Sequence, residues 1–503
     1  MTGPRSATEI ERTFEFSPTG PVPDLLGVAG VTEVQVLPDE LLDATYYDTA
    51  DFRLVRARTT LRRRRGGRDA GWHLKLPLGG EAREEVTVPL GRSTVVPQEL
   101  RTLVLSRTRS APLRPVVRLR TERTVRLLLD SEGSVLAEFA DDRVVGETLG
   151  ADRRRIVWRE LEVELVAGDT DLLDALGRHL VDAGARTSAR PSKLARTLEG
   201  VLPAPRPSLP RRPAAADAVA AHLREQLVEL VSRDPGVRRD APDAVHKMRV
   251  ATRRLRSALT TYRPLLDRAV TAPLGAELKH LAAVLGEARD AEVLRDHLLG
   301  EIAALPTGLV ADSTVAGIRR ELEESYAAAH GRVLVELAGP RYLALLDSLE
   351  QLVDHGPWLE RSQAPAAKEL RRRVLRSVDR LDSAADTAEA APTPEQRDEL
   401  LHEVRKAAKQ VRYAAESTVA VLGKDATTFA RRVQRVQEAL GDHQDRVVIR
   451  QRLQELTALP GSGSFVFGVL YGLEQARAEQ TQDAYAQAWQ GFSAKRTRRW
   501  LKG

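Results

Sequence analysis

The sequence predicts two folds in one chain: a mostly antiparallel α+β domain first and an all-α domain after it. Two observations predict this. Apolar residues alternate with period two up to about residue 200 and recur with period 3.6 beyond it. At the change lies Leu202–Pro213, five prolines in twelve residues, which neither a helix nor a central strand tolerates. The expected division is therefore 1–200, a linker 201–213, a helical domain 214–495 and a basic tail 496–503. A length of 503 residues also exceeds what one ordinary core serves.

The period-two runs are EIERTFEF, TTLRRRR, WHLKLPL, REEVTVPL, VVRLRTERTVRLLL, SVLAEFADD and IVWRELEVELV. Glycine pairs such as Gly66-Gly67 and Gly79-Gly80 punctuate them as turns. Helices are expected near Pro97–Arg107 and from about Asp171 to Ala183. Past the linker, breaks at Asp234-Pro235-Gly236, Gly339-Pro340 and Pro460-Gly461 should separate long helices. Ala384–Pro394 reads as a loop, and the terminal AKRTRRWLKG as a frayed tail.

Composition narrows the chemistry. The chain has no cysteine, which excludes disulfides, thiolate metal sites and cysteine nucleophiles. No apolar run approaches the roughly 18–20 residues that span a bilayer, so a cytoplasmic protein is expected. Residues 1–200 carry 31 basic and 31 acidic side chains, and the later residues 46 and 40, so the net charge of +6 lies wholly in the second part. Aromatic residues make up only 4%, few for base-stacking platforms, so no specific nucleic-acid recognition is expected.

In the first domain charge falls on faces that closure of the sheet would bury. Glu160, Glu162 and Glu164 share one face of their strand, and Glu9 and Glu11 share one face of the first. Arg62 and Arg64 sit two apart, as do Arg118 and Arg120, and Lys75 follows His73 by two. An open sheet would leave these charges in water. Pooling of acid on two strands and base on others argues instead for a closed barrel with a common lumen. Buried carboxylates that repel one another call for a cation, and their oxygens suit Mg²⁺ or Mn²⁺. Arginines at period two offer planar forks to successive phosphate oxygens.

These residues carry a resemblance. EIERTFEF resembles the ExExK signature of the CYTH domains, the triphosphate tunnel metalloenzymes. YYDT (Tyr46–Thr49), LRRR (Leu61–Arg64), WHLKL, Arg118/Arg120, ELEVEL and PSKLART (Pro191–Thr197) follow in that family's order. The resemblance implies an eight-stranded tunnel with outer helices, binding Mg²⁺ or Mn²⁺ through Glu9, Glu11, Glu160, Glu162 and Glu164. It implies phosphate binding by Arg62, Arg64, Lys75, Arg118, Arg120 and Lys193. At the signature lysine position stands Thr13, a departure that weakens the case for turnover more than for binding.

The helical region is duplicated. HKMRVATRRLRSAL begins at His246 and HEVRKAAKQVRYAA at His402; LGEARDAEVLRDHL begins at Leu285 and LGDHQDRVVIRQRL at Leu440. The modules recur in the same order at nearly the same spacing, predicting two similar bundles, roughly 214–340 and 341–495, with pseudo-two-fold symmetry. His246, Arg249, Arg253 and Arg256 fall within about 80° of arc on a helix, a stripe that His402, Arg405, Lys409 and Arg412 repeat. Like charges so spaced destabilise an isolated helix, and a long polyanion explains why the stripe recurs.

This region resembles the CHAD domain, a helical module often fused to CYTH. The resemblance implies binding of inorganic polyphosphate by those eight residues in a basic central channel. Lys247, Arg254, Arg289 and Lys406 are further candidates, with Asp290 and Asp445 orienting basic side chains. The expected function is metal-dependent hydrolysis of inorganic triphosphate or a related phosphoanhydride, with long-chain polyphosphate held by the second domain and association with polyphosphate granules. The alternatives are a non-catalytic polyphosphate sensor, an adenylate cyclase or a thiamine triphosphatase.

Overall fold

The computed structural model describes residues 5–79, 82–150, 153–203, 208–457, 464–479 and 482–502. The Pro460-Gly461 break, part of the proline-rich stretch and the Asp445 side chain lie outside the described residues. The chain divides into two compact units, Met1–Arg206 and Pro207–Gly503.

The first unit is a barrel. Its strands are β1 (Arg5–Glu15), β2 (Glu33–Val36), β3 (Glu40–Asp48), β4 (Thr60–Arg65), β5 (Gly71–Gly79), β6 (Ala82–Pro89), β7 (Arg114–Leu129), β8 (Val135–Thr148), β9 (Arg155–Leu165) and β10 (Arg186–Thr187). The antiparallel order β1-β6-β5-β4-β3-β7-β8-β9 closes where β9 pairs with β1, giving eight barrel strands; β2 and β10 add to β7 and β1. Among the described residues it also carries four helices: α1 (Arg53–Arg56), α2 (Gln98–Thr108), α3 (Thr170–Asp182) and α4 (Lys193–Thr197). On β1 the even residues face outward. Phe14 packs with Leu173, Leu176 and Leu180 of α3, while Arg12 pairs with Asp174 at 3.0 Å. Closure thus leaves odd residues Glu9, Glu11 and Thr13 on the inner face. The YYDT motif is architectural at its end: buried Asp48 accepts from the backbone N–H groups of Leu54 and Val55, each at 2.9 Å, and so orders α1.

The second unit is helical: α5 (Ala215–Arg238), α6 (Ala244–Thr261), α7 (Arg268–Ala303), α8 (Asp312–Ala338), α9 (Pro340–His355), α10 (Ala366–Glu389), α11 (Pro394–Glu416), α12 (Val419–Leu422), α13 (Lys424–Thr457), α14 (Ser464–Glu479), α15 (Gln482–Ser493) and α16 (Lys495–Arg498). The duplication is visible at the backbone. The starts of α5 and α10 exchange hydrogen bonds reciprocally, Ala215 N to Ala364 O at 2.9 Å and Ala366 N to Pro213 O at 3.0 Å, as two-fold mates do. The repeated stripes lie on α6 and α11, which touch: Arg254 donates to Glu416 at 2.9 Å, and the Tyr262 and Ser417 hydroxyls meet at 2.6 Å.

Four expectations are corrected. The first bundle does not end at 340, because Tyr342, Leu346 and Leu349 of α9 pack into its core, which extends to Leu370. Asp234-Pro235-Gly236 does not break α5; the helix carries Pro235 internally, near its C-terminus. Most of Ala384–Pro394 is the last turn and a half of α10 rather than a loop. Nor is the tail frayed: Leu501 is buried in the second core, and Arg498 forks onto Asp382 at 2.5 and 2.8 Å.

Candidate functional site

The barrel lumen holds acid and base in alternation. At one end Lys193 Nζ stands among Asp142 (3.0 Å), Glu160 (2.7 Å) and Glu162 (2.5 Å). Strand register builds this row, since Arg123 of β7 faces Asp142 of β8, which faces Glu160 of β9. Arg123 bonds both Asp142 and Glu162 at 2.6 Å, and the Trp158 indole donates to Glu160 at 2.6 Å. Lys193 reaches in from the first residue of α4, whose start is capped by the Ser192 hydroxyl. Apolar Leu194 and Leu198 fix that turn against Tyr46, Val117 and Trp158.

A second group lies along β1. Lys75 Nζ is 2.5 Å from Glu9 and 3.6 Å from Glu11, and Arg83 is 3.4 Å from Glu11. Glu11 is directly opposite Glu164, and Thr13 opposite Glu162. Between the groups, Glu85 meets His73 at 3.1 Å and Arg62 at 3.6 Å, while Arg64 pairs with Asp69.

Burial and crowding set the charge states. Burial, then the neighbouring charge of Glu9, pushes the Glu164 carboxyl up to about 7. Glu162, more deeply enclosed, is drawn the other way: burial raises it, but Lys193 and Arg123 overcome that and hold it well below the usual carboxylate range. Burial and the like charges of Arg62 and Arg123 push the Arg64 pKa down. The lumen therefore contains carboxylates that gain from a cation and a guanidinium group, Arg64, that gains from an anion.

The donor set fits a divalent cation. One oxygen from each of Asp142, Glu160 and Glu162 lies within 4.8 Å of the others, and all three are hard ligands. Lys193 is the cation that balances them in this structure, and although burial opposes its charge, Glu160, Glu162 and Asp142 hold it firmly protonated.

Of the residues singled out in the sequence, Glu9, Glu11, Thr13, Arg62, Arg64, Lys75, Glu160, Glu162, Glu164 and Lys193 fall on the lumen face. Arg118 and Arg120 do not. Tyr46 and Ala44 of β3 pair with lumen-facing Arg62 and Arg64, and the same two residues pair with Val117 and Leu119 of β7. The residues between point outward, so Arg118 pairs with Asp43 at 2.5 Å on the exterior. The lumen arginine of β7 is Arg123, three residues on. Asp142 was also missed; both were findable by counting parity from the strand partners.

In the helical unit a cleft of about 390 Å³ is lined by Arg253 and Arg256 of the first stripe and Lys409 of the second, with Lys406 beside it; His246, Arg249, His402, Arg405 and Arg412 are not among its lining residues. Arg263 and Arg268, which the sequence did not single out, extend it. Burial, then the charge of Arg253, lowers the Arg256 pKa; Arg249 is lowered by burial, with Asp290 opposing at 3.7 Å. Arg412 is partly committed, bonding Glu416 at 2.9 Å and Gln437 at 3.1 Å. His246 is held below its usual pKa by burial and then by Arg289. Repeat-equivalent Gly286 and Gly441 admit the stripe arginines Arg249 and Arg405 against neighbouring helices.

Comparison with known proteins agrees with both units. Residues 7–198 match the CYTH domain and residues 221–454 the CHAD domain. An uncharacterized protein found in two strains of Mycobacterium tuberculosis is 40% identical over 505 residues, covering 95% of each chain. Two solved structures resemble the chain. PptA from Streptomyces chartreusis is 23% identical with a TM-score of 0.46, covering 55% of this chain and 99% of its own. A CHAD domain from the plant Ricinus communis is 24% identical with a TM-score of 0.45, covering 56% and 93%. CYTH domains include triphosphatases and cyclases, and both domains are associated with triphosphate or polyphosphate binding. With both domains matched in order and a relative aligned almost end to end, the chain belongs to the CYTH–CHAD family.

Proposed function

We propose that the lumen binds inorganic triphosphate or a related phosphoanhydride together with Mg²⁺ or Mn²⁺ and hydrolyses it, and that the basic cleft of the second unit holds long-chain polyphosphate. The observation that carries the reading is the interleaving of carboxylates and cations on one enclosed face. Glu9, Glu11 and Glu164, or Asp142, Glu160 and Glu162, would hold the cation, which supplies charge neutralisation and Lewis acidity. Arg62, Arg64, Arg123, Lys75 and Lys193 orient the phosphates and balance charge that develops on their oxygens. Walls that exclude bulk water strengthen each of these contacts.

A second reading, binding without turnover, is favoured by Thr13. Thr13 pairs with Glu162 in the strand register, at the position where the family signature has a lysine. Phosphate release from triphosphate, ATP, thiamine triphosphate and long polyphosphate, each with Mg²⁺ and with Mn²⁺, separates the readings. Release from triphosphate is expected to be fastest. Binding of triphosphate with no release from any of the four leaves the sensor.

A further inference from the structure

The four arginines of β4 serve two faces. Arg62 and Arg64 enter the lumen, so Arg63 and Arg65 point outward, toward a cleft of about 880 Å³ between the barrel wall and α2. In register, Arg63, Thr45 and Arg118 form one row across β4, β3 and β7, and Arg65, Asp43 and Arg120 the next. From the other wall Arg101 of α2 and Arg109 contribute. Five lining arginines thus face a single lining carboxylate, Asp43, which Arg118 already engages.

Arg63 is the informative member. It is only 9% exposed, and its Nε is buried without an acceptor. Among the described residues no carboxylate lies in ion-pair distance of it. Burying a guanidinium without an anion costs several kcal/mol, and such a cost is kept where a ligand offsets it. Arg109, which lines the same cleft, holds a positive-φ backbone (φ 57°), a strain of about 1–3 kcal/mol of the kind found at ligand clamps. Part of the remaining wall is apolar: Tyr47, Val96, Leu105 and Leu113 line the same cleft, beside Thr45, Thr94, Thr108 and Ser110. An inorganic phosphate chain would make no use of that wall. A ligand with a phosphate tail and a flat organic body uses both, and the volume lies within the usual range for small-molecule sites.

We infer that this exterior cleft is a second anion site, separate from the lumen, that binds a nucleotide: phosphates on Arg63, Arg101 and Arg118, base against Tyr47 and Val96. Its occupant is bound there and not turned over, since among the described residues Asp43 is the single carboxylate that lines the cleft.

The test uses the full chain and N-methylanthraniloyl-ATP without divalent ions. Trp72, whose ring centroid is 5.1 Å from that of Tyr47, is an energy-transfer donor next to the cleft. Lumen binding is removed with Arg62→Ala. In that background one equimolar binding event with transfer is expected to remain, weakened about tenfold or more by Arg63→Met and by Arg101→Glu. Arg101 is exposed, so its reversal keeps the fold. Inorganic triphosphate is expected to compete at least tenfold less well than ATP. Loss of all nucleotide binding in Arg62→Ala, or indifference to Arg101→Glu with the fold intact, overturns the inference. Equal competition by triphosphate overturns the assignment to a nucleotide. Loss of triphosphate hydrolysis in Arg62→Ala bears on the lumen alone, so the two readings fail separately.

Discussion

At the residue scale, parity decides which charges matter. The ELEVEL and ExEx runs were legible because every second residue is acidic and the apolar partners between them name the outer face. The RLR run, Arg118–Arg120, misled for the same reason: its arginines alternate cleanly, but on the outer face, while the inner positions Val117 and Leu119 cluster with Tyr46, Trp158 and Leu194. Composition within one strand does not tell inside from outside; its neighbours do. Thr13 offers a residue-scale test. Thr13→Lys sets a second ammonium beside Glu162, and triphosphate hydrolysis, followed by phosphate release, is expected to rise roughly tenfold, as for a restored electrostatic contact to a reacting group. Normal triphosphate binding with an unchanged rate would favour the sensor.

At the element scale, the repeated stripes were readable from sequence, whereas their packing was not. Arg405 crosses to a neighbouring helix over Gly441, where an added Cβ would lie 3.3 Å from its guanidinium; Arg249 clears the corresponding position at Gly286 by 3.7 Å. Gly441→Ala is therefore expected to weaken polyphosphate binding several-fold and Gly286→Ala hardly at all. Neither is expected to lower the unfolding temperature, because alanine favours helix over glycine by about 1 kcal/mol. Fluorescence titration with a long polyphosphate beside a thermal melt checks both points. The helix α5 carries a pH signature. Burial, then the charge of Arg254, holds the His222 imidazole down at about 4. The unfolded chain binds that proton near 6.5, so this stabilisation is complete above about pH 6.5 and is lost as pH falls from there through about 4. The loss is at most about 3 kcal/mol. Urea midpoints measured from pH 7.5 to 4.5 are expected to fall less steeply in His222→Phe than in the parent chain.

At the scale of the whole molecule, the chain joins two charged surfaces that differ in kind. The barrel encloses interleaved carboxylates and cations; the helical unit offers an open cationic cleft. The cleft's affinity should fall steeply with salt, because displaced counterions drive polyanion binding. Reversal of Arg253 and Lys409, one per stripe, is expected to cost far more polyphosphate affinity than reversal of exposed Lys424 and Arg499, although both pairs remove the same charge. Equal losses would reduce the cleft to generic electrostatics. The central claim is that a divalent cation and a triphosphate share the lumen, and coupling between them measures it most directly. Mn²⁺ binding to the full chain is expected to tighten at least tenfold when triphosphate is present, and triphosphate binding to tighten equally with Mn²⁺. Glu162→Gln should abolish that coupling with the fold intact. Independent binding of the two, or full coupling in Glu162→Gln, would contradict the account.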